Sequence, residues 1–229
     1  MQQDPSIPAQ PGNSTQNPGV TERQETDIVS GEGTSKRSGL RSILSTVGIL
    51  LAAPLIAILL TAFVFQSYEV DGPSMETTLQ NQDRLIVWKV PRTISRITKN
   101  DYIPARGDVV VFVKHDLYEE PGGNEKQLIK RVVGLPGERV VVANGKMIVY
   151  NQEHPNGFDP DMNTDFSRNI VTPTNGEVDL VVGEGEVFVA GDNRVNSLDS
   201  RSFGTIKSHD IVGRMVLRIF PFNGFKSYI

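Results

Sequence analysis

The feature that most limits the fold of this chain is a long uncharged stretch near its N-terminus. No charged residue lies between Arg41 and Glu69, and the residues from Ile43 to Phe65 are almost all apolar. A bilayer core of about 30 Å is crossed by about 20 apolar helical residues. Pro54 does not exclude such a helix. In a transmembrane helix, the backbone groups that lose a hydrogen bond at a proline find other hydrogen-bond partners. The stretch therefore predicts a transmembrane helix over residues 40–67.

The charges on either side of this predicted helix indicate its orientation. Lys36, Arg37 and Arg41 precede it, and two acidic residues, Glu69 and Asp71, follow it. By the positive-inside rule, the N-terminal side lies in the cytoplasm. A cleaved signal peptide is the alternative, but its apolar region is only about 7–15 residues long and lies closer to the N-terminus. We expect an uncleaved, single-pass anchor in the cytoplasmic membrane, with the rest of the chain on the extracytoplasmic side.

Composition narrows the remaining possibilities. Residues 1–39 nearly lack large apolar side chains, which predicts a disordered cytoplasmic tail. The net charge of -4 makes nucleic acid an unexpected partner. The chain has no cysteine, which excludes disulfides and a thiolate nucleophile. Its three histidines show no metal-ligand spacing, so we assign them no role and expect neither a metal nor a cofactor.

From residue 68 onward the pattern changes to short apolar runs separated by turn residues. RLIVWKV, DVVVFV, RVVVANGKMIVY and EVFVAGD are rich in valine and isoleucine, which predicts β-strands. Asn144 and Gly145 lie between two such runs and supply the positive φ angles of a tight hairpin turn. We expect a mostly β domain over residues 68–229, with long loops at 115–127 and 151–176. The second loop contains Asp159, Asp161 and Asp165, whose spacing does not match an EF-hand, so a solvated loop is favoured over a calcium site.

Three segments contain polar residues that could form a catalytic site. They are GPSMETTL at 72–79, LIKRVVGLPGE at 128–138 and AGDNRVNSLDSRSFG at 190–204. Singly, each has an ordinary explanation as a turn, a strand or a polar loop. Together, in this order behind an apolar helix, they resemble the bacterial type I signal peptidases, membrane-bound serine proteases with a Ser/Lys dyad. DRLIVWKV and RGDVVVF extend the resemblance, which covers nearly everything from the helix onward. It implies a catalytic domain built of coiled antiparallel β-sheets.

The resemblance implies that Ser74 is the nucleophile and Lys130 the general base. A serine hydroxyl needs a neighbouring base, and a lysine serves only when it is neutral. Its pKa of about 10.4 must therefore fall, and burial among apolar side chains lowers it. On a strand, Lys130 shares a face with Leu128 and Val132. We expect Arg131 to point the other way, as an exposed or paired cation with a structural role.

Other site residues are implied by the same resemblance. Ser197 matches a serine that hydrogen-bonds the lysine, and Asp199 and Arg201 match a supporting ion pair. We expect Asp192, Asn193 and Arg194 to shape the loop that carries them, although ordinary loop charges remain an alternative for Asp199 and Arg201.

The serine segment departs from the family pattern at two positions. Thr77 replaces a proline that is frequent there, which predicts a looser turn. Gly72 replaces the hydroxyl residue by which some relatives help to hold the oxyanion. We assign Ser74 and Gly72 to the oxyanion site, which would then rest on the backbone N–H of Ser74. One missing donor costs about 10²- to 10³-fold in rate.

The implied substrates are signal peptides of exported preproteins, cleaved after a small-x-small (A-x-A-like) site. Ser74 lies close enough to the predicted helix to act near the lipid bilayer. Six residues match those that line the family's shallow substrate pockets, with ordinary core residues as the alternative: Tyr68, Val70, Met75, Leu79, Leu128 and Ile129. Aromatic residues near the C-terminus suggest either an interfacial anchor or core: Phe220, Phe222, Phe225 and Tyr228. We expect a monomer that works near the export machinery.

Three competing functions are considered. A soluble self-cleaving Ser/Lys peptidase would need a partner module that the sequence does not display. The eukaryotic signal peptidase of the endoplasmic reticulum has a histidine at the position of the base. Lys130 therefore favours the bacterial form. A catalytically inactive, anchored β-domain that binds peptide or envelope partners is the alternative from another class, and the joint presence of Ser74, Lys130 and Ser197 argues against it.

Overall fold

The computed structural model of this chain describes residues 35–115, 125–221 and 226–227. The chain divides into two compact units, residues 1–48 and 49–229. Helix α1 (Ser35–Leu59) begins in the first unit and ends in the second. In the first unit the described residues are all helical, whereas the second contains the sheets.

The predicted N-terminal apolar helix is confirmed. The segment Ser42–Val64 has 23 residues, a mean hydropathy of 2.7 and no part buried within the protein, so it is long and apolar enough to cross a membrane. A π-helical turn, Leu60–Val64, follows α1. The expected end at residue 67 is wrong, because Phe65–Ser67 pair with β2 as the start of strand β1. The predicted disordered tail lies largely outside the described residues, and its last residues, 35–39, belong to α1.

Eleven strands, two short α-helices and three single-turn 3₁₀ helices are described in the rest of the chain. The α-helices are α2 (Val90–Thr98) and α3 (Ser200–Phe203). The strands are β1 (Phe65–Glu69), β2 (Arg84–Trp88), β3 (Val109–Lys114), β4 (Lys126–Gly134), β5 (Arg139–Ala143), β6 (Lys146–Tyr150), β7 (Val178–Val181), β8 (Glu186–Ala190), β9 (Ile206–Lys207), β10 (Ile211–Phe220) and β11 (Lys226–Ser227).

The strands form two antiparallel sheets, which confirms the mostly β prediction. The larger sheet has the order β1-β2-β10-β3-β4-β8-β9, with β11 beside β10. The smaller sheet has the order β6-β5-β7. The predicted hairpin is also confirmed: Asn144 and Gly145 have φ angles of 52° and 76° and join β5 to β6. A two-residue turn with positive φ at both positions matches the twist of the flanking strands.

Strand β4 lies inside the larger sheet and is packed on both faces in its second half. Val132 belongs to one core cluster, with Val110 and Val189, whereas Val133 belongs to another, with residues of the smaller sheet. Lys130 and Arg131 are therefore both buried, at 3% and 4% exposure. Of the two alternatives expected for Arg131, an exposed or a paired cation, the structure has the paired one, since Arg131 is buried and forms an ion pair with Asp192.

The remaining expectations concern the two predicted loops and the C-terminal aromatic group. Of the predicted loop 115–127, residues 116–124 lie outside the described residues, and Lys126 already begins β4. Helix α2 was not predicted. It has nine residues, with a proline in its first turn and Lys99 in the left-handed conformation directly after its end.

In the loop 151–176, Asp161 is buried, so the prediction of a solvated loop is wrong for this residue. Phe220, the one described member of the C-terminal aromatic group, is 45% exposed at the end of β10.

Candidate active site

Ser74 and Lys130 meet at the junction of the β1–β2 connection with strand β4. Ser74 lies in the turn that follows β1, and Lys130 lies within β4. The Nζ atom of Lys130 is 2.8 Å from Oγ of Ser74 and donates a second hydrogen bond of 2.8 Å to the carbonyl of Ile129. The serine is half-buried and lines a cavity. This arrangement supplies a hydroxyl and an amine at proton-transfer distance.

Burial lowers the pKa of Lys130 to about 8. The carboxylates of Asp199 and Asp192 oppose this shift, and the nearby ammonium of Lys126 adds to it. A shift of this kind follows from the cost of holding a charged ammonium away from water. A substantial fraction of Lys130 is consequently neutral at mildly alkaline pH, which is the form that accepts a proton.

The turn that carries Ser74 is closed by hydrogen bonds. The amide of Glu76 donates to Pro73 O at 3.1 Å, and the amide of Leu79 donates to Met75 O at 2.8 Å. Thr77 donates its hydroxyl to Asn169 O at 3.3 Å. The threonine that replaces the family's proline thus ties the turn to a neighbouring segment, and the looser turn stays a prediction.

The backbone N–H of Ser74 is available for an oxyanion. Within the described part of the chain it donates to no other residue, whereas the amide of Gly72 is engaged by Asn81 Oδ1 at 2.9 Å. Gly72 has φ of +92°, a conformation that residues with a Cβ rarely adopt. The amide of Gly72 is therefore not free to donate to an oxyanion, so the structure gives no support to the prediction that Gly72 belongs to the oxyanion site. The positive φ angle explains why a glycine occupies this position.

Asp199, Arg201 and Ser197 lie on the segment that follows β8. Asp199 is fully buried and forms an ion pair of 2.8 Å with Arg201, and it also accepts the amide of Gly191 at 3.0 Å. Burial alone would raise the Asp199 pKa, but the Arg201 guanidinium and the Gly191 amide hold it below its ordinary value. The Ser197 hydroxyl is buried and lies beside the Asp199 carboxylate, whose pKa it helps to lower, and it has no hydrogen bond of good geometry to a residue in the described ranges. The predicted bond from Ser197 to Lys130 is not formed in this structure.

A cavity of about 280 Å³ opens beside Ser74 and Lys130. Four of the six predicted pocket residues line it, together with Leu198 and the exposed side chain of Lys126. The four are Tyr68, Val70, Leu128 and Ile129. Sequence reasoning missed Leu198, although its position next to Ser197 could have indicated it.

Met75 and Leu79 do not line this cavity. Both are fully buried and pack with Leu85, Val109 and Met215 in a core cluster. The close hydrogen-bonded turn after Ser74 directs them into the domain. The alternative that they are ordinary core residues is therefore the correct one for these two positions.

The comparisons with known proteins bear on this site. A sequence model of the family described as "Signal peptidase, peptidase S26" matches residues 43–220. The chain belongs to the S26 signal peptidase family. It is consequently a serine peptidase, and the resemblance inferred from the sequence is confirmed.

Individual S26 relatives cover most of the chain. A protein named "Probable signal peptidase I-1" of Synechocystis is 35% identical over 181 residues, which cover 78% of this chain and 83% of that protein. A "Signal peptidase I" of Bacillus licheniformis is 30% identical over 185 residues, covering 80% of this chain and 91% of the relative. A solved signal peptidase I from Enterococcus faecalis has 29% identity and a TM-score of 0.35, and the match covers 50% of this chain and 97% of that chain.

A buried ion pair next to Ser74 and Lys130 of this S26 peptidase was missed by sequence reasoning. Arg131 donates to both carboxylate oxygens of Asp192, at 2.7 and 2.5 Å, and to Thr78 Oγ1 at 3.2 Å. Thr78 also donates its hydroxyl to Asp192. The pair therefore joins β4, which carries Lys130, to the turn that carries Ser74 and to the loop after β8.

A second buried ion pair fastens the 151–176 loop to the same site. Arg194 Nη2 lies 2.6 Å from Asp161 Oδ1, and both side chains are almost fully buried. Arg194 Nη1 donates to Gly191 O at 2.7 Å. Asn193, next to it, donates its amide to Ser74 O at 3.1 Å. The loop after β8 is thus held on one side by Asp161 and on the other contacts the backbone of Ser74, so Asp192, Asn193 and Arg194 contribute more than loop shape.

An added Cβ at Gly191 would overlap both Ser197 Oγ and Ser74 O. A glycine is therefore required where the loop after β8 meets the turn that carries Ser74.

Across the described residues no group of three or more His, Cys, Asp or Glu side chains is arranged to hold a metal ion.

Proposed function

We propose that this S26 peptidase is a membrane-anchored endopeptidase that removes signal peptides from exported preproteins, with Ser74 as nucleophile and Lys130 as general base. The observation that carries the proposal is the 2.8 Å contact between Ser74 Oγ and the buried Nζ of Lys130. No other described residue donates a side-chain hydrogen bond to that hydroxyl. Family membership supports signal-peptide removal as the reaction.

The proposed reaction proceeds in two halves. Neutral Lys130 takes the hydroxyl proton of Ser74 as Oγ attacks the scissile carbonyl, and the tetrahedral oxyanion accepts the N–H of Ser74. The Lys130 ammonium then protonates the departing amine as the C–N bond breaks. In the second half a water molecule loses a proton to Lys130 and attacks the acyl-enzyme carbonyl. As the ester C–O bond breaks, the Lys130 ammonium returns that proton to Ser74 Oγ, which releases the acid product and restores the free serine and the neutral lysine. Asp199 and Arg201 hold the segment that carries Ser197 against this site.

The cavity beside the dyad supports a preference for small side chains. Tyr68, Val70, Leu128 and Ile129 present apolar walls, and a volume of about 280 Å³ that is shared by two substrate side chains favours small ones. A small-x-small sequence such as A-x-A has small residues at the two alternate positions whose side chains share a face of an extended strand. We therefore infer that these four residues form the substrate pockets.

The proposed location is the cytoplasmic membrane, with the N-terminus in the cytoplasm and the catalytic domain outside. The apolar segment ends at Val64, and β1 starts at the next residue. Ser74 follows β1 after a short turn, which keeps the dyad near the end of the span. A preprotein held in the bilayer by its own apolar segment would present its cleavage site at a similar depth. Action as a monomer near the export machinery stays a prediction.

The function is tested by incubating the purified full chain in detergent with a model preprotein that carries an A-x-A site. We expect one cut directly after the second alanine, identified by mass spectrometry of the released peptide. A matched preprotein with tryptophan at both small positions should remain intact, because the cavity walls exclude its side chains. Cleavage of both substrates at equal rates would contradict the pocket assignment, and cleavage of neither would contradict the function.

The pH dependence of this reaction follows from the lysine. Because the pKa of Lys130 is about 8 and only the neutral amine accepts a proton, kcat/KM should rise about tenfold per pH unit below 8 and level off above it. Steady-state rates between pH 6 and 10 measure this limb.

Lys126→Gln tests whether the ionisation of Lys130 causes this rise of kcat/KM with pH. The positive charge of Lys126 helps to lower the pKa of Lys130, so its removal should move the limb to higher pH. A rate that does not change from pH 6 to pH 9 in the unmodified chain would rule out Lys130 as the base.

A further inference from the structure

Helix α2 and its two flanking residues carry a local charge opposite to that of the whole chain. Residues 89–99 contain four cations and no acidic residue, although the chain has a net charge of -4. The four are Lys89, Arg92, Arg96 and Lys99. Such a concentration of one sign on a short helix favours an anionic partner.

Two of these four cations are already used within the domain. Lys89 Nζ donates to Thr61 O at 3.0 Å and to Gln66 Oε1 at 3.1 Å, and Arg92 Nη2 donates to His209 O at 3.4 Å. Arg96 and Lys99 are exposed and form no salt bridge with any residue in the described ranges. Both are therefore free to meet an external anion.

The same helix exposes two large apolar side chains. Ile94 is 53% exposed and Ile97 is 77% exposed. Residues three apart lie on one face of a helix, so the two form a single apolar surface. Arg96 lies on another side of this helix. The combination of a basic side and an apolar side is typical of helices that lie in a membrane interface.

Hydrogen bonds attach α2 to the end of the apolar segment. Thr93 Oγ1 donates to Phe63 O at 3.0 Å, and the amide of Lys89 donates to Val64 O at 2.8 Å. The helix is therefore fixed beside the last turn of the segment that is long enough to cross a bilayer. A side chain in this position is near the level where that segment leaves the hydrocarbon.

We propose that α2 is an interfacial helix that binds anionic phospholipids. Ile94 and Ile97 enter the boundary between headgroups and acyl chains, while Arg96 and Lys99 contact headgroup phosphates. Continuity with the apolar segment selects the bilayer as the occupant of this surface, and the unpaired cations select negatively charged lipid. Each cation near such a surface strengthens binding by about fivefold. The inference rests on the proposed membrane anchoring but requires no catalysis.

The absence of cysteine makes the surface easy to probe. Ile97→Cys in the full chain gives a single thiol for a polarity-sensitive fluorophore, and Met162→Cys, at a loop position that is 70% exposed, gives the matched control. Both proteins are reconstituted in vesicles of phosphatidylcholine, with or without phosphatidylglycerol. We expect a blue shift and quenching by lipid-attached nitroxides at position 97, larger with phosphatidylglycerol, and neither effect at position 162.

Two double variants test how much the cations of α2 contribute to the binding of anionic lipid. Arg96→Gln combined with Lys99→Gln should remove the difference between the two lipids, whereas Arg168→Gln combined with Lys146→Gln, at exposed cations elsewhere, should preserve it. A fluorophore at position 97 that stays as water-exposed as one at position 162 overturns the proposal and points to a protein partner instead. An identical response in both lipids overturns the anionic preference. Because no readout uses cleavage, failure here leaves the peptidase test unaffected, and the reverse also holds.

Discussion

Replacing Lys130 with methionine is expected to lower kcat/KM for preprotein cleavage by at least about 10³-fold, which is the upper part of the range for a lost general base. Methionine has a similar length and suits the apolar surroundings of Lys130, so the domain should stay folded. The Ser74 hydroxyl, however, would lose its 2.8 Å contact with Nζ and with it the proton acceptor. Initial rates of preprotein cleavage in detergent measure the effect.

Ser74→Ala and Lys146→Met complete this experiment. The alanine removes the nucleophile and should abolish cleavage, and a double variant with Lys130→Met should be no worse than either single one, because the two residues act as a unit. Lys146 is an exposed lysine at the start of β6, so its replacement should leave the rate unchanged. Activity of Lys130→Met within tenfold of the unmodified chain would exclude the proposed dyad.

Asp192→Ala should produce the largest loss of stability among single changes at the site. It leaves the buried guanidinium of Arg131 without its carboxylate, and breaking a buried pair in this way costs about 3–5 kcal/mol. It also removes the carboxylate that accepts the Thr78 hydroxyl, so the turn carrying Ser74 should lose order and activity should fall. Urea unfolding of the full chain in detergent, followed by circular dichroism, measures the change in the free energy of unfolding.

Asp179→Ala is the matched control for this prediction. Arg139 and Asp179 form an equally short two-bond pair, but their side chains are 51% and 55% exposed, whereas those of Arg131 and Asp192 are 5% and 0% exposed. Water and salt screen an exposed pair, so its loss should change stability little. Equal effects of the two substitutions would show that burial does not set the value of the Asp192 pair. Asp192 also raises the pKa of Lys130, so any remaining activity of Asp192→Ala should have its acid limb at lower pH.

Local sequence patterns predicted much of the fold. The apolar segment, the valine-rich strands and the Asn144–Gly145 turn are each encoded within a few neighbouring residues, and all three are present in the structure. Helix α2 was missed because nine residues are too few to display a clear helical period. The end of the apolar helix was placed too late because Phe65 continues the apolar run, although it already pairs with Trp88 in β2.

The site was predicted unevenly. Motif resemblance brought out Ser74 and Lys130, which the fold places 2.8 Å apart, and four of six pocket residues line the cavity beside them. Met75 and Leu79 were misassigned because an apolar residue in a motif has the same appearance whether it faces the core or a cavity. The role of Asp161 was missed because its partner, Arg194, lies far away in the sequence.

Local patterns were enough to indicate the candidate site of this S26 peptidase: a serine and a lysine in matching motifs, an apolar helical segment and strands that support them. The surroundings of these two side chains depend on tertiary contacts. The pKa of Lys130 falls because β4 is packed on both faces, which no pattern within β4 reveals. The partners of Arg131 and Arg194 likewise come from distant segments, and a contact between distant segments exists only once the chain has folded.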